Sequence, residues 1–231
     1  MLKILLSNDR GFTQLNWLKS KHSFSFADYY NPNYVHFDAL RVLNEDFITP
    51  NSGFATHQHN NMEIITYLIQ GELTHKDSLN NTTVLHSGDV QLLSAGSGIT
   101  HSAFNYSPNL THLLQIWIIP NEKDSAPFHQ QKNFANKIHE NSFTKIASYL
   151  PAEDTLPIKQ NAEIYIAKFK QDTNTIFNTD HKHNIYIHII NGDVSINNSH
   201  LSIGDGASIS NESTLSFSFK ANTEFLLFKF N

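Results

Sequence analysis

Gly53-Phe54-Ala55-Thr56-His57-Gln58-His59-Asn60-Asn61-Met62-Glu63 carries both a fold and a chemistry. His57 and His59 are separated by one residue. On a β-strand, alternate residues project from one face with Cα atoms about 6.6–6.8 Å apart. Two imidazoles so placed can converge on one ion at about 2.0–2.1 Å from each nitrogen. The same parity puts His101 and position 103 on a common face. Two such pairs on neighbouring inward-facing strands would build a metal site inside a barrel. A His-x-His pair alone is a weak signal in a chain with 14 histidines, so its surroundings decide its meaning.

Those surroundings read as strands. Ala39–Leu43, Glu63–Ile69, His112–Ile119, Glu163–Phe169, Ile185–Ile190 and Glu224–Phe230 are rich in β-branched and aromatic residues. All are bounded by Gly, Asn, Asp, Ser or Pro. Short strands at this spacing predict a sandwich or barrel. Only Phe12–Lys19 and Phe134–Tyr149 suggest helices. From Pro120 to Pro157 the strand pattern breaks, and this stretch is expected to link two domains. A faint repeat agrees. Tyr67–Leu73, with Gly71 at its turn and Gly88-Asp89 beyond, parallels His188–Val194, with Gly192 and then Gly204-Asp205. The expected division is 1–135 and 136–231, two copies of one all-β barrel.

Composition narrows the function. The net charge is -5 and no run of Lys or Arg stands out, which argues against a nucleic-acid or anionic-membrane footprint. With no cysteine, disulfides and thiolate metal sites are excluded. The apolar N-terminal stretch is too short for a signal peptide, and no stretch approaches transmembrane length, so a cytoplasmic protein is expected.

Gly53, His57, His59, Glu63 and Gly71 resemble the first cupin motif; Gly88-Asp89, Gly96, His101 and Asn105 resemble the second. The N-terminal half is more closely similar to the pirin family. The resemblance runs through Arg10-Gly11, Trp17-Leu18, His22–Phe26, Tyr29-Tyr30, Leu40–Asp46, Met62–Tyr67, His75–Ser78, Gly88–Gln91, Ser94–Gly96, Gly98-Ile99, His101-Ser102 and Gln115–Trp117. It continues more loosely to the end, in the manner of bacterial pirin-like quercetinases. It implies two cupin (double-stranded β-helix, jelly-roll) barrels in one chain, with one metal ion in the N-terminal barrel held by His57, His59 and His101. Some family members cleave the flavonol quercetin with O2; a eukaryotic member is an iron-dependent transcriptional coregulator.

The family's second motif usually reads His-Ser-Glu, with the Glu completing the metal site. Here it reads His101-Ser102-Ala103, and an Ala methyl can neither coordinate nor take a proton. Three imidazoles remain a reasonable open site. They accept Fe, Ni, Cu, Zn or Co alike, so one divalent transition-metal ion is expected without its identity. Glu63 is the acidic residue nearest the first motif. It reaches the ion if Asn60-Asn61 makes a tight turn and does not if the strand runs straight, and a supporting role is the stronger reading; it is the candidate proton acceptor. The expected partners are a small aromatic substrate and O2, without direct nucleic-acid or membrane binding. The alternatives are a metal- or redox-sensing regulator acting through a protein partner, and a metal-free barrel with another ligand. His181-Lys182-His183 reads as an exposed loop and His188 as a core residue. Arg41 and His75 read as braces, and Trp17 and Trp117 as core.

Overall fold

A computed structural model describes residues 1–152 and 154–231. Among them the regular structure is strands and one short 3-10 turn, Ser7–Asp9. The chain opens with β1 (Leu2–Leu5). The strands of the first compact unit follow: β2 (Gly11–Gln14), β3 (Leu18–His22), β4 (Leu40–Ile48), β5 (Ser52–His59), β6 (Glu63–Gln70), β7 (Glu72–Asp77), β8 (Thr82–His86), β9 (Asp89–Ser94), β10 (Ile99–Asn105), β11 (Thr111–Ile118) and β12 (Phe128–Asn133). They form a seven-stranded sheet of order β12-β9-β6-β11-β4-β3-β2 and a four-stranded sheet of order β5-β10-β7-β8. Leu18, Ile48, Leu68 and Leu113 of the larger sheet pack with Leu73 and Leu85 of the smaller, closing one end of the barrel.

The second unit contains β13 (Ser142–Ser148), β14 (Leu156–Pro157), β15 (Ala162–Phe169), β16 (Thr173–Asn178), β17 (Asn184–Asn191), β18 (Asp193–Ile196), β19 (Ser199–Ser202), β20 (Gly206–Ile209), β21 (Thr214–Phe219) and β22 (Thr223–Phe230). Its sheets, β1-β20-β17-β22-β15-β13-β14 and β16-β21-β18-β19, repeat the seven-plus-four plan. The repeat extends to its glycines: Gly71 and Gly192 hold φ of 85° and 79°, a left-handed region that other residues rarely enter. The second barrel encloses an apolar cluster rich in phenylalanine. Phe169, Phe217, Phe219 and Phe225 stack through its interior, and Phe143 meets Phe169 and Phe225 edge-on.

Several sequence expectations change. Residues 12–19 lie in the β2–β3 hairpin, not a helix. Leu18, Ser20 and His22 are buried while Lys19 and Lys21 are not, a period of two hidden because two inward residues are polar. Phe134–Tyr149 likewise holds β13 rather than a helix. The supposed linker supplies β12 to the edge of the first barrel and β13 to the second; β12 reads Phe-His-Gln-Gln-Lys-Asn, too polar to signal a strand. Residues 1–10 cluster with the second unit rather than the first, and 158–160 with the first. Among the described residues no helix is long and apolar enough to cross a membrane.

Candidate metal centre

β5 and β10 are antiparallel neighbours, with His57 opposite His101. Two residues further along β10, Ala103 stands opposite Phe54. Three steps on β5 therefore match two on β10, a β-bulge in β5 that turns both His57 and Phe54 inward. The strands approach closely there: a Cβ on Gly53 would stand 2.3 Å from the Ala103 carbonyl oxygen, which explains the glycine that opens the motif.

One potential ligand atom from each of His57, His59 and His101 lies within 4.8 Å of the others. Their ring centroids are 4.5–5.0 Å apart. An ion about 2.1 Å from each nitrogen draws such atoms to roughly 3.4 Å, a contraction that small χ rotations supply. The environments are graded: His57 is exposed, His59 half-buried and His101 only 7% exposed. His57 Nδ1 lies 2.8 Å from the Ala55 carbonyl oxygen. A carbonyl can only accept, so Nδ1 carries the proton and Nε2 is left as a lone-pair donor. Both ring nitrogens of His101 are buried without a hydrogen-bond partner. That arrangement is costly unless something else binds one of them.

Burial, reinforced by His57, lowers His59 to about pH 4; burial, then His57 and His59, lowers His101 to about 3. Both rings are thus neutral at pH 7 and need lose no proton before ligating. In the metal-free protein the shifts also set a stability window. The unfolded chain, with histidines near 6.5, binds more protons than the fold between about 6.5 and 3, so stability falls as pH falls through that range. Melts of apoprotein should give a lower Tm at pH 5 than at pH 8, and His101→Ala should flatten the dependence. A Tm independent of pH over this span contradicts the assignment.

Behind His101, His75 packs at a ring-centroid distance of 5.4 Å. Its Nε2 lies 2.9 Å from Asp77, both side chains buried. Burial opposes ionisation of Asp77, but hydrogen bonds from His75, the Asn81 side chain and the Asn81 and Leu79 amides hold its carboxyl below the usual range. His129 of β12 stacks on His75, 4.8 Å away and 13° from parallel. The His75-x-Asp77 spacing carries the same parity signal as His-x-His; His129 lies in the stretch that reads as a linker. Arg41 ties the Ser25 and Val35 carbonyls, as its reading as a brace expects.

Glu63 is not with the histidines. The chain leaves the four-stranded sheet after His59 and enters the seven-stranded sheet at Glu63. Ile64 lines the central cavity, so Glu63 faces the opposite side of its strand. There it accepts hydrogen bonds from Ser94 Oγ at 2.6 Å and the Lys159 amide at 3.2 Å, and burial pushes its carboxyl up. It is a buried brace, and the expectation that it receives the substrate proton is dropped. His181 and His183 lie in the turn before β17, and His188 is fully buried in β17.

The three histidines stand in a cavity of about 580 Å³. Trp17, Phe26, Phe54 and Trp117 give it aromatic walls; Ser20, His22, Asn44, Asp46 and Gln115 give it polar ones, and Ala103 faces it too. Trp17 and Trp117 are accordingly cavity walls rather than sealed core. Trp117 also meets His59 edge-on at 4.8 Å.

Residues 6–118 match the family model of Pirin, and residues 145–230 that of the quercetinase C-terminal cupin domain. A protein named quercetin 2,3-dioxygenase from Escherichia coli is 36% identical over 229 residues, 99% of this chain and 98% of that protein. A pirin-like protein of Caulobacter vibrioides is 40% identical over 212 residues, 91% of each. The crystal structure of the bacterial pirin YhhW from Escherichia coli in complex with nickel(II) has a TM-score of 0.95 at 36% identity, covering 100% of this chain and 99% of that one. GK1651 of Geobacillus kaustophilus, at 21% identity and a TM-score of 0.80, shares the fold.

Proposed function

The chain belongs to the pirin family, and from that premise we propose that it is a metal-dependent oxygenase that adds O2 to a planar, hydroxylated aromatic substrate of the flavonol type. The observation that carries the reading is the convergence of three imidazoles on an aromatic-walled cavity of about 580 Å³. That volume suits one small-molecule ligand. The relatives named quercetin 2,3-dioxygenase and the nickel-bound pirin support the same reaction class and a divalent transition metal.

His57, His59 and His101 hold the ion. When bound, it supplies Lewis-acid polarisation of a substrate oxygen and a template beside which O2 can react. The chain does the rest. The Ala55 carbonyl fixes the tautomer of His57, and the neutral pair His59 and His101 presents lone pairs at physiological pH. Trp17, Phe54 and Trp117 flank a flat ring and exclude water from it. No carboxylate follows His101 on β10, so the proton of the substrate hydroxyl leaves by a route other than the one a Glu at position 103 would give.

Ala103 is also the observation that favours a second reading, a metal-responsive regulator that binds the ion without turnover. Oxygen uptake separates the two. Protein reconstituted with each of Fe, Ni, Cu, Zn and Co, then given a flavonol panel, should consume O2 with at least one metal, and should not when metal-free. Stoichiometric metal without O2 uptake on any flavonol would reject the oxygenase and leave the regulator.

A further inference from the structure

The sheet order β5-β10-β7 puts His101 between two groups of imidazoles. His57 and His59 stand on β5 at one side. At the other, β7 sets Asp77 opposite His101 and His75 opposite Ala103. Residues directly opposite in an antiparallel pair share a face, so His75 and Asp77 point into the barrel beside His101. Neither belongs to the cluster of three histidines.

Asp77 fixes the state of His75. A carboxylate only accepts, so His75 Nε2, 2.9 Å from Asp77 Oδ2, carries the ring proton. Burial keeps the ring neutral against the pull of Asp77. Its Nδ1 is therefore a bare lone pair, buried and without a hydrogen-bond partner. Ala103, opposite, offers only a methyl group. His129 lies nearly parallel to His75 and is held by Gln91 Nε2, 2.9 Å from its own Nε2, so it presents a ring face rather than an N–H. Thr83, opposite on β8, is engaged by Gln91.

His101 has the complementary need. Both its ring nitrogens are buried and unpartnered. When an ion takes one, the other carries the proton and becomes a donor without an acceptor. The centroids of His75 and His101 are 5.4 Å apart. A straight N–H···N bond of about 2.9 Å between two imidazoles puts their centroids roughly 5.2 Å apart, so a small rotation joins them.

We propose that His75 Nδ1 accepts a hydrogen bond from the His101 ring N–H that the ion leaves free, so that Asp77, His75 and His101 form one chain ending on the metal. A donor and an acceptor that are each costly alone then satisfy one another. The carboxylate at the far end orients the His101 ring and makes its ligating nitrogen more basic. Where position 103 is a methyl group, the charge of Asp77 reaches the ion through two imidazoles. His75 and Asp77 are positioning residues and touch neither ion nor substrate. The proposal rests on the triad assignment and not on which reaction the site performs.

The test is nitrogen NMR of the full chain with isotope-labelled histidine rings, loaded with diamagnetic Zn(II), beside zinc-binding isotherms. Wild type should show His75 protonated at Nε2 and a scalar coupling across the hydrogen bond between His75 Nδ1 and the His101 N–H. Asp77→Asn is nearly isosteric. Its Oδ1 can keep the Leu79 and Asn81 amides, while its amide nitrogen facing His75 Nε2 drives the ring proton to Nδ1. That variant should lose the coupling and bind zinc about tenfold or more weakly. A role in the fold alone lowers Tm without moving the ring proton. Zinc-loaded wild type that lacks the coupling, or carries the His75 proton on Nδ1, overturns the proposal and leaves the triad standing. An Asp77→Asn protein that binds zinc as tightly as wild type does the same. Wild type that binds no zinc overturns both. The wild-type spectrum carries the test if Asp77→Asn does not fold.

Discussion

Replacing His101 by Ala is expected to strip the metal from the protein, lowering affinity by at least about a hundredfold. Loss of a mere supporting contact to a ligand already costs roughly ten- to a hundredfold, and His101 is itself one of only three donors. It is also the most buried of the three, with neither ring nitrogen otherwise partnered. The apoprotein should remain folded, because the substitution removes an unsatisfied polar ring; the cavity it leaves opens into one already present. Flavonol-dependent O2 uptake should fall with the metal. Two controls sharpen the result. His181→Ala with His183→Ala should leave metal content unchanged, since both residues lie in a turn of the other unit. Glu63→Gln should leave it unchanged too, since Glu63 is hydrogen-bonded to Ser94 and the Lys159 amide. Elemental analysis and binding isotherms decide; metal loss in the paired-histidine control equal to that in His101→Ala would remove the triad assignment.

The second large effect runs the other way. Ala103→Glu should raise metal affinity by supplying a fourth donor from the strand that carries His101. β10 is regular against β7 from His101 to Phe104, so positions 101 and 103 share a face, and both line the cavity. Without metal the same carboxylate sits against Trp17, Phe54 and the leucine cluster, and an unpaired charge there costs several kcal/mol. The variant should therefore melt below wild type as apoprotein and show a larger upward Tm shift on adding metal, by an amount set by ligand concentration over Kd. If proton removal limits turnover, O2 uptake should rise as well. Equal affinity and an equal metal-dependent Tm shift in variant and wild type would mean that position 103 does not address the ion.

The triad was legible because strand parity is strict: one intervening residue puts two side chains on one face, and a motif resemblance located the third on β10. The paired barrels were legible through the glycine turns near 71 and 192. What escaped has a common cause. Ser20, His22, Asn44 and Asp46 are inward-facing polar residues, so they erase the hydrophobic alternation that announces a strand while adding the features that distinguish the cavity. The β3 segment was accordingly read as helical. β12, with His129, was read as linker for the same reason. Glu63 was left between two readings, near the ion if Asn60-Asn61 turned tightly and away from it otherwise, because proximity to His59 in sequence does not say which sheet it joins. Proximity along the chain misleads at Asn60–Met62, where the chain changes sheets and adjacent residues part company.

β1 pairs with β20, Leu2 opposite Ile209 and Leu5 opposite Gly206. Within its sheet it takes the edge seat beside β20 that β12 takes beside β9 in the first barrel. The two paired strands thus lie some two hundred residues apart along the chain. At roughly 5–20 residues per second, translation separates the two by about ten seconds or more. The segment from Gly11 to Ala135 holds nearly all of its own strand partners and can begin to close in that interval, whereas Leu2–Leu5 must wait as an unpaired apolar ribbon. A chaperone or a fused N-terminal tag would meet this ribbon before β20 does. Closing the β1–β20 edge is thus a step of long sequence separation, and its rate will respond to what is attached ahead of Leu2.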